Sequence, residues 1–365
     1  MTVHTGFPHY PDGEIRAPYR NRPYEIEHDG DLRIIRTAVY PVANRGFAKR
    51  IANHLSFCAS ALAGVGLSGK QDVVIVESPP LFTAAAGIAV AAIKRAPLVV
   101  NVADRWPASA VELGALTNPR AIALAESLER LIYRRSAAIT VPTDGLLRGL
   151  DALPSANGRV HRLGPSVDVE LFDPEPPRPS GPLRVLYAGT IGMAQGLDTL
   201  VEAARLAGPQ QVALTIAGDG HDAPALAARI KRDRLDHVQM LGSVAHAKIP
   251  ALYAETDVAV VLLRDRPIFE GALPTKLLEA MAAGRAIALS AHGESADLVH
   301  EVGAGLAAPP EDPAALAAVF ARLREDPASV AKFGRAGRAA TLARFSRALV
   351  TEQWQELLDD LVARR

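Results

Sequence analysis

Lys276 and Glu279 lie three residues apart in a stretch whose pattern indicates a short helix. Pro274 fits the first helical position, where its missing N–H costs nothing, and Gly284 fits the end of the helix. The N–H groups of residues 273–276 would point outward from the first turn, where the helix dipole favours an anion. The stretch therefore predicts an anion-binding site.

The lysine lies where a helix disfavours a cation. A cation in the first turn opposes the helix dipole by up to ~1 kcal/mol unless an anion lies between them. The chain has seven lysines against 33 arginines, which suggests a geometric need for this one. A solvated Lys276–Glu279 pair, worth a few tenths of a kcal/mol, explains the residue equally well, so both interpretations stay open.

Glycine pairs follow two predicted strands and could bring the backbone close to a phosphate or a sugar. The residues concerned are Gly189, Gly192, Gly218 and Gly220. Each pair alone also fits a simple strand-to-helix turn. Together with Glu279, whose carboxylate could accept two ribose hydroxyls, they favour a nucleotide site.

The composition is that of a soluble globular protein, with 49% apolar and 22% charged residues among 365. Forty basic and forty acidic side chains give no net charge, which excludes the strong basic field of a dedicated nucleic-acid binder. The single cysteine, Cys58, excludes an internal disulfide and a cysteine zinc site. The uncharged stretch 81–93 is too short to span a membrane, and no leader pattern opens the chain, so we expect a cytoplasmic protein.

Short apolar runs alternate with longer Ala- and Leu-rich stretches, which predicts an α/β fold with parallel sheets. The runs are 32–39, 72–76, 98–102, 138–141, 159–163, 183–188, 212–217, 237–241, 258–263 and 286–290. A segment with five prolines in ten residues, 173–182, is predicted to be a linker. We predict doubly wound, Rossmann-like domains at 1–172 and 183–345 that face a cleft, and a C-terminal helix at 346–365.

Several longer motifs stand in one characteristic order. They are Thr-Gly-Phe-Pro-His-Tyr-Pro-Asp-Gly at 5–13, Val-Ala-Asp-Arg-Trp-Pro at 102–107, Gly-Thr-Ile-Gly-Met-Ala-Gln-Gly-Leu-Asp at 189–198, Ala-Gly-Asp-Gly at 217–220, Leu-Gly at 241–242 and Leu-Pro-Thr-Lys-Leu-Leu-Glu-Ala-Met-Ala-Ala-Gly at 273–284. This order resembles the retaining glycosyltransferases of the GT-B fold, family four. Within them it is similar to the N-acetyl-L-fucosamine transferase subgroup, which builds bacterial surface polysaccharide.

The resemblance implies transfer of a sugar, with retention, from a nucleotide-sugar to a lipid-linked or saccharide acceptor, with UDP favoured as the nucleotide. It assigns Glu279 to the donor ribose, the backbone of residues 273–276 to the pyrophosphate and sugar, and the segments after Gly218 and Gly242 to the nucleobase. No protein nucleophile is required, because the departing phosphate is thought to take the acceptor proton. We expect no cofactor, no obligatory metal, no nucleic-acid partner, and peripheral contact with the inner face of the membrane.

The chain departs from the family pattern near the donor. Many relatives carry a carboxylate eight positions before the helix glutamate, where this chain has Gly271, and the neighbouring Glu270 is the candidate replacement. Relatives often place an arginine and a lysine after the first strand of this domain, whereas here that loop offers neutral side chains such as Thr190. Lys276, together with Arg264, would then have to neutralise the negative charge of the phosphates.

Asp104 follows the apolar run 98–103, so we expect it at the carboxyl edge of the first sheet. By the resemblance, Asp104 would contact an acceptor hydroxyl or help to move a proton. The alternative is that it caps the following turn. The predicted catalytic residues are Asp104 and Lys276. The predicted donor-binding residues are Gly189, Thr190, Gly192, Gly218, Gly242, Arg264, Glu270, Leu273, Pro274, Thr275, Lys276 and Glu279.

By the resemblance, residues 1–6 correspond to the second strand of the family's first domain, so the family's first strand, glycine-rich loop and first helix would be missing here. The neighbouring strands would then miss a hydrogen-bonding partner, and we expect the native protein to start upstream. Two alternatives to a transferase stay open. One is a non-catalytic interaction subunit, and the other is a nucleotide-sugar epimerase that would use Asp104, His292 and Glu294.

Overall fold

The computed structural model describes residues 1–9, 13–20, 22–42, 47–112, 114, 116–172 and 181–364, with only the backbone of residues 47 and 48. Its strands are β1 (Thr2–Gly6), β2 (Tyr24–Asp29), β3 (Leu32–Thr37), β4 (Val74–Ser78), β5 (Leu98–Val102), β6 (Ala138–Val141), β7 (Val160–Arg162), β8 (Leu183–Ala188), β9 (Val212–Ala217), β10 (Val238–Gly242), β11 (Val258–Leu262), β12 (Ala286–Ser290) and β13 (Gly305–Ala308).

The α-helices alternate with these strands, and short 3₁₀ turns occur at Val65–Ser68, Val169–Leu171, His246–Lys248 and Pro267–Phe269. The α-helices are α1 (Phe47–Ala63), α2 (Leu81–Lys94), α3 (Ala108–Glu112), α4 (Pro119–Arg135), α5 (Asp144–Asp151), α6 (Leu197–Ala207), α7 (Ala223–Arg232), α8 (Ile249–Ala254), α9 (Thr275–Ala282), α10 (Glu294–Val302), α11 (Pro313–Glu325), α12 (Pro327–Arg344) and α13 (Arg347–Ala363).

These elements form two compact units. The first unit comprises Met1–Pro142, Leu146–Arg162 and Gln355–Arg365, and the second comprises Thr143–Gly145 and Leu163–Trp354. The final helix predicted at 346–365 therefore has residues in both units.

Residues 163–172 cluster with the second unit, whereas the sequence placed them in the first domain. Val167 and Phe172 are buried in the second unit's apolar core. The Val167 N–H also donates to the carbonyl of Phe345 at 2.9 Å, which holds the segment against the second unit. The predicted linker, 173–182, lies outside the described residues except for its last two positions.

The second unit is built on a parallel sheet whose described strands have the order β10-β9-β8-β11-β12-β13. All residues of β11 and β12 are buried, as expected for parallel strands covered by helices on both faces. One face packs against α6, α7 and α11, and the other against α8, α9 and α10. The predicted doubly wound α/β architecture is confirmed here. The strand order reverses between β8 and β11, where an open sheet of this type leaves a crevice for a ligand.

The first unit contains two sheets among its described residues. The strands β4, β5, β6 and β7 form a parallel sheet, whereas β3 pairs with β1 in parallel and with β2 in antiparallel. Among the described strands, β1 and β4 each lie at an edge of their sheet.

The loops that leave β8 and β9 pack backbone against backbone. The N–H of Gly189 donates to the carbonyl of Ala217 at 2.9 Å. The N–H of Ile191 donates to the carbonyl of Asp219, also at 2.9 Å. A Cβ on Gly218 would lie 1.8 Å from the Gly189 carbonyl oxygen, and the φ of Gly218 is +148°. Glycine at 218 is therefore required by the packing of the two loops.

We expect Gly218→Ala to lower the free energy of unfolding by about 2 kcal/mol or more, because the added methyl group overlaps backbone atoms at a strained φ. Thermal unfolding followed by circular dichroism measures this loss. The control is Gly164→Ala, since the nearest atom to a Cβ there is Cδ1 of Phe345 at 4.0 Å. Equal melting temperatures for the two variants would contradict the prediction.

Candidate functional site

Lys276 joins the first turn of α9 to the exit of β8. Pro274 adopts an extended conformation and is the N-cap of α9. The Lys276 ammonium donates to Oη of Tyr187 at 2.6 Å and lies 4.3 Å from the centroid of its ring. The Tyr187 hydroxyl donates in turn to the carbonyl of Thr190 at 2.6 Å. The lysine thus takes a place at the strand exit and does not form the solvated pair with Glu279.

The space for this ammonium exists because residue 189 is glycine. A Cβ there would lie 2.7 Å from Nζ of Lys276. Burial lowers the pKa of Lys276 to about 8, and the charge of Glu279 opposes this shift. Burial also raises the pKa of Tyr187, so its hydroxyl accepts from the ammonium without carrying a charge. The result is a desolvated cation with a neutral partner, which an anion would stabilise.

Glu279 lies one helical turn beyond the lysine, on the same side of α9. Its Oε1 is 3.4 Å from Nε2 of His246, which follows β10 in the chain. The side chain of Glu279 is 22% exposed and that of His246 is 70% exposed, so both can be reached by a ligand. Tyr253 of α8 is buried, and its hydroxyl donates to the carbonyl of Lys276 at 3.4 Å. This contact supports the first turn of α9.

The approach to α9 leaves polar groups at the surface. Leu273 is buried and Thr275 is exposed, and the first N–H groups of the helix have no acceptor inside it. The carbonyl of Glu270 accepts the N–H of Glu294 at 2.7 Å, while the Glu270 side chain is exposed. The backbone of this segment is therefore held in place while the Glu270 carboxylate stays accessible.

Arg264 braces the loop after β8. Its Nε donates to the carbonyl of Met193 at 2.8 Å. Its Nη1 donates to Glu311 at 2.7 Å, and its Nη2 donates to Asp198 at 3.1 Å. Because two carboxylates already share this guanidinium, it would have to leave one of them to bind a phosphate, and its part in donor binding stays a prediction.

The predicted glycines of the second unit lie along one edge of the sheet. Gly189 and Gly192 follow β8, Gly218 follows β9, and Gly242 ends β10. The N–H of Gly218 donates to the carbonyl of Gly242 at 2.8 Å. The structure thus brings the predicted residues of this unit to the carboxyl ends of adjacent strands.

Asp104 belongs to the first unit and lies two residues beyond the end of β5, with an exposed side chain. Its carbonyl, rather than its carboxylate, accepts the N–H of Trp106 at 3.0 Å. The N–H of Ala103 donates to the carbonyl of Ser78 at 2.9 Å, which joins the ends of β4 and β5. Asp104 therefore lies at the carboxyl edge of its sheet, and its role stays a prediction.

Sequence reasoning missed three side chains that contact this site: Tyr187, His246 and Tyr253. Tyr187 carried a usable signal, since it is the single aromatic residue in the predicted strand 183–188 just before Gly189. His246 and Tyr253 carried none, because they meet α9 only through the folding of the chain.

Within the described residues, no group of three or more His, Cys, Asp or Glu side chains is placed to hold a metal ion. None of the helices in the described parts of the chain combines the length and apolar character that crossing a bilayer requires.

Two family models match the chain. Residues 2–166 match the glycosyl transferase 4-like domain, and residues 182–326 match the glycosyl transferases group 1 model. Together these segments cover well over half of the chain.

Known proteins are similar to this chain in sequence and in fold. The amylovoran biosynthesis glycosyltransferase AmsK of Erwinia amylovora is 30% identical over 185 residues, which is 49% of this chain and 45% of that protein. The chain spans less than half the length of the first curated relatives it matches.

Two solved structures share the fold. The sucrose-phosphate synthase of Thermosynechococcus elongatus is 20% identical with a TM-score of 0.79, over 100% of this chain and 89% of that one. The HepE protein of Anabaena in complex with UDP-glucose is 18% identical with a TM-score of 0.70, over 99% and 100% of the two chains. At these identities the structures show the fold alone, which is GT-B.

The position of Lys276 predicts that its removal stabilises the protein. Because its folded pKa of about 8 lies below the ordinary lysine value of 10.5, the charged form is disfavoured in the folded chain. We expect Lys276→Met to raise the free energy of unfolding by about 1–2 kcal/mol at pH 7, allowing for partial solvent screening. Between pH 8 and 10.5 the unfolded wild type binds more protons, so wild-type stability rises with pH and the advantage of the variant shrinks.

Urea denaturation at pH 7 and at pH 9.5 measures both effects. The exposed lysine of α12 gives the control variant, Lys332→Met, which should show no gain at either pH. A loss of stability in Lys276→Met at pH 7 would contradict the assignment of a desolvated ammonium.

Proposed function

The chain belongs to the group 1 glycosyltransferases with a 4-like N-terminal domain, and from this we propose that it moves a sugar from a nucleotide-sugar to a lipid-linked or saccharide acceptor in polysaccharide assembly. The observation that carries the proposal is the desolvated Lys276 ammonium at the exit of β8, next to the first turn of α9. UDP is favoured as the nucleotide, since a protein of the same fold was solved with UDP-glucose.

The donor diphosphate would bind between the Lys276 ammonium and the N–H groups of residues 273–276. Both supply positive potential, and a bound diphosphate would restore the charge stabilisation that burial removes from the lysine. Glu279 would accept the ribose hydroxyls, with His246 at 3.4 Å to orient its carboxylate. Thr190 and Gly192 would border the transferred sugar, because they follow β8 directly.

The proposed transfer proceeds with retention. The bond between the anomeric carbon and the diphosphate oxygen breaks, and a bond to the acceptor oxygen forms on the same face. The acceptor proton passes to the departing phosphate, so catalysis consists of positioning and charge stabilisation. Lys276 stabilises the charge that grows on the leaving group, and Asp104 of the first unit contacts the acceptor hydroxyl.

An epimerase would need an acid and a base on opposite sides of the sugar. Glu294 was a candidate for one of them. Its carboxylate instead accepts the N–H groups of Asp144 and Gly145, which cluster with the second unit, at 3.0 and 2.8 Å. Both carboxylate oxygens of Glu294 thus already accept a backbone hydrogen bond. This arrangement favours a structural role for Glu294 over that of an acid or a base in an epimerase.

The donor site predicts a pH-dependent affinity for UDP. At pH 9, one unit above the Lys276 pKa of about 8, roughly a tenth of the lysine is charged, so affinity should fall about tenfold from its value at pH 7. We expect Lys276→Met to bind UDP about 10–100-fold more weakly at pH 7 and to lose this pH dependence. Isothermal titration calorimetry measures both, with Lys332→Met as the control. Equal UDP affinity in wild type and Lys276→Met would refute the phosphate role.

The role of Glu279 makes a separate prediction. Glu279→Gln should weaken UDP binding about tenfold, because an ionised acceptor of ribose hydroxyls is replaced by a neutral one, and should leave inorganic pyrophosphate binding unchanged. Competition titrations with the two ligands give the comparison. An equal loss for both ligands would mean that the helix, and not the ribose contact, had been altered.

A further inference from the structure

A cavity of about 390 Å³ lies in the first unit, between α4 and the segments that follow β5 and α5. This volume falls within the usual range for ligand sites, about 300–1,000 Å³. Its polar lining residues are Arg105, Glu126, Glu129, Arg130, Arg134 and Ser155. The donor site does not account for this group of charges.

Arg105 lines the cavity, and its guanidinium has one donor atom without an acceptor. Its Nε is buried and has no hydrogen-bond acceptor among the described residues. Its Nη1 lies 3.2 Å from the position that a Cβ on Gly149 would take, so the side chain packs closely against α5. A buried donor without an acceptor is unfavourable, and such a group is a candidate for contact with a ligand or an ordered water.

The two carboxylates of the lining are already engaged. Glu126 pairs with Arg130 at 3.7 Å, one turn along α4. Glu129 accepts a hydrogen bond from the hydroxyl of Tyr133 at 3.0 Å. Burial raises the pKa of Glu129, and the charges of Arg105 and Arg130 oppose this shift. The lining thus holds three arginines against two carboxylates, so a net positive charge remains.

Arg105 and Arg134 supply the positive charge that is left. Among the described residues, neither forms an ion pair within 4.0 Å, although the charge of Arg105 acts on Glu129. A guanidinium presents a fork of donors that matches a phosphate group, and two such forks suit a diphosphate. Arg105 also follows Asp104 directly, so the loop after β5 carries both this cation and the proposed acceptor contact.

We propose that this cavity binds the diphosphate group of the acceptor, an inference that rests on the proposed transfer to a lipid-linked acceptor. Arg105 and Arg134 hold the diphosphate oxygens, and the buried Nε of Arg105 gains its missing acceptor. A soluble diphosphate and a lipid diphosphate share this chemistry, so a test has to separate the two sources.

Isothermal titration calorimetry on the full chain, saturated with UDP to fill the donor site, tests the proposal. The probes are inorganic pyrophosphate and geranyl diphosphate. We expect Arg105→Gln and Arg134→Gln each to weaken probe binding about tenfold or more. The matched control is Arg120→Gln, which removes an exposed arginine of the same helix outside the cavity lining and should bind like wild type.

The outcomes separate the claims. Tighter binding of geranyl diphosphate than of pyrophosphate supports a lipid source, and equal binding supports the cavity with a soluble source. Probe binding that is absent in wild type, or equal in all variants, overturns the cavity assignment. UDP binding in the same samples would show that the donor site is unaffected by that result.

Failure of wild type to bind UDP overturns the proposed function instead. Should Arg105→Gln unfold, the exposed Arg134 decides the result.

Discussion

The structure of the candidate site depends on one contact, the hydrogen bond between the Lys276 ammonium and the hydroxyl of Tyr187. It joins α9 to β8, which are 89 residues apart at this point. The hydroxyl in turn donates a hydrogen bond to the Thr190 carbonyl, so the loop after β8 is held by the same chain of bonds. Without this contact, the ammonium would have no polar partner at the exit of β8, whereas α9 itself is held on the sheet by its buried apolar residues.

The surrounding residues make that contact possible. Gly189 leaves room for the ammonium, and Gly218 lets the next loop pack against the Gly189 backbone. Arg264 then ties the loop to Asp198 and Glu311 on its outer side. In the sequence these glycines suggest phosphate binding. In the structure they allow the two loops to pack together and leave room for Lys276, and in this way they shape the candidate ligand site.

The sequence predicts the second unit well because its strands are buried on both faces and read as continuous aliphatic runs. The strands it misses lack that pattern. Residues 24–29 alternate apolar with charged side chains, as an antiparallel edge strand does, and residues 305–308 contain only Gly, Leu and Ala. The site follows the same rule: Lys276 and Gly189 stand in local motifs, whereas His246 reaches Glu279 across 33 residues. A contact of that span is set by tertiary packing, which no local pattern records.

The choice of lysine at 276 has a physical reason in a chain that otherwise prefers arginine, with 33 arginines against seven lysines. A guanidinium stays charged in proteins and needs room for a planar fork of donors, whereas an ammonium is compact and its pKa falls readily on burial. The ammonium lies beside Gly189 and over the ring of Tyr187, where a Cβ at residue 189 would already be too close. A compact cation whose charge is weakly stabilised gains more from an arriving diphosphate than one already satisfied by carboxylates, as Arg264 is. The same burial that makes the empty site unfavourable therefore strengthens its preference for an anion.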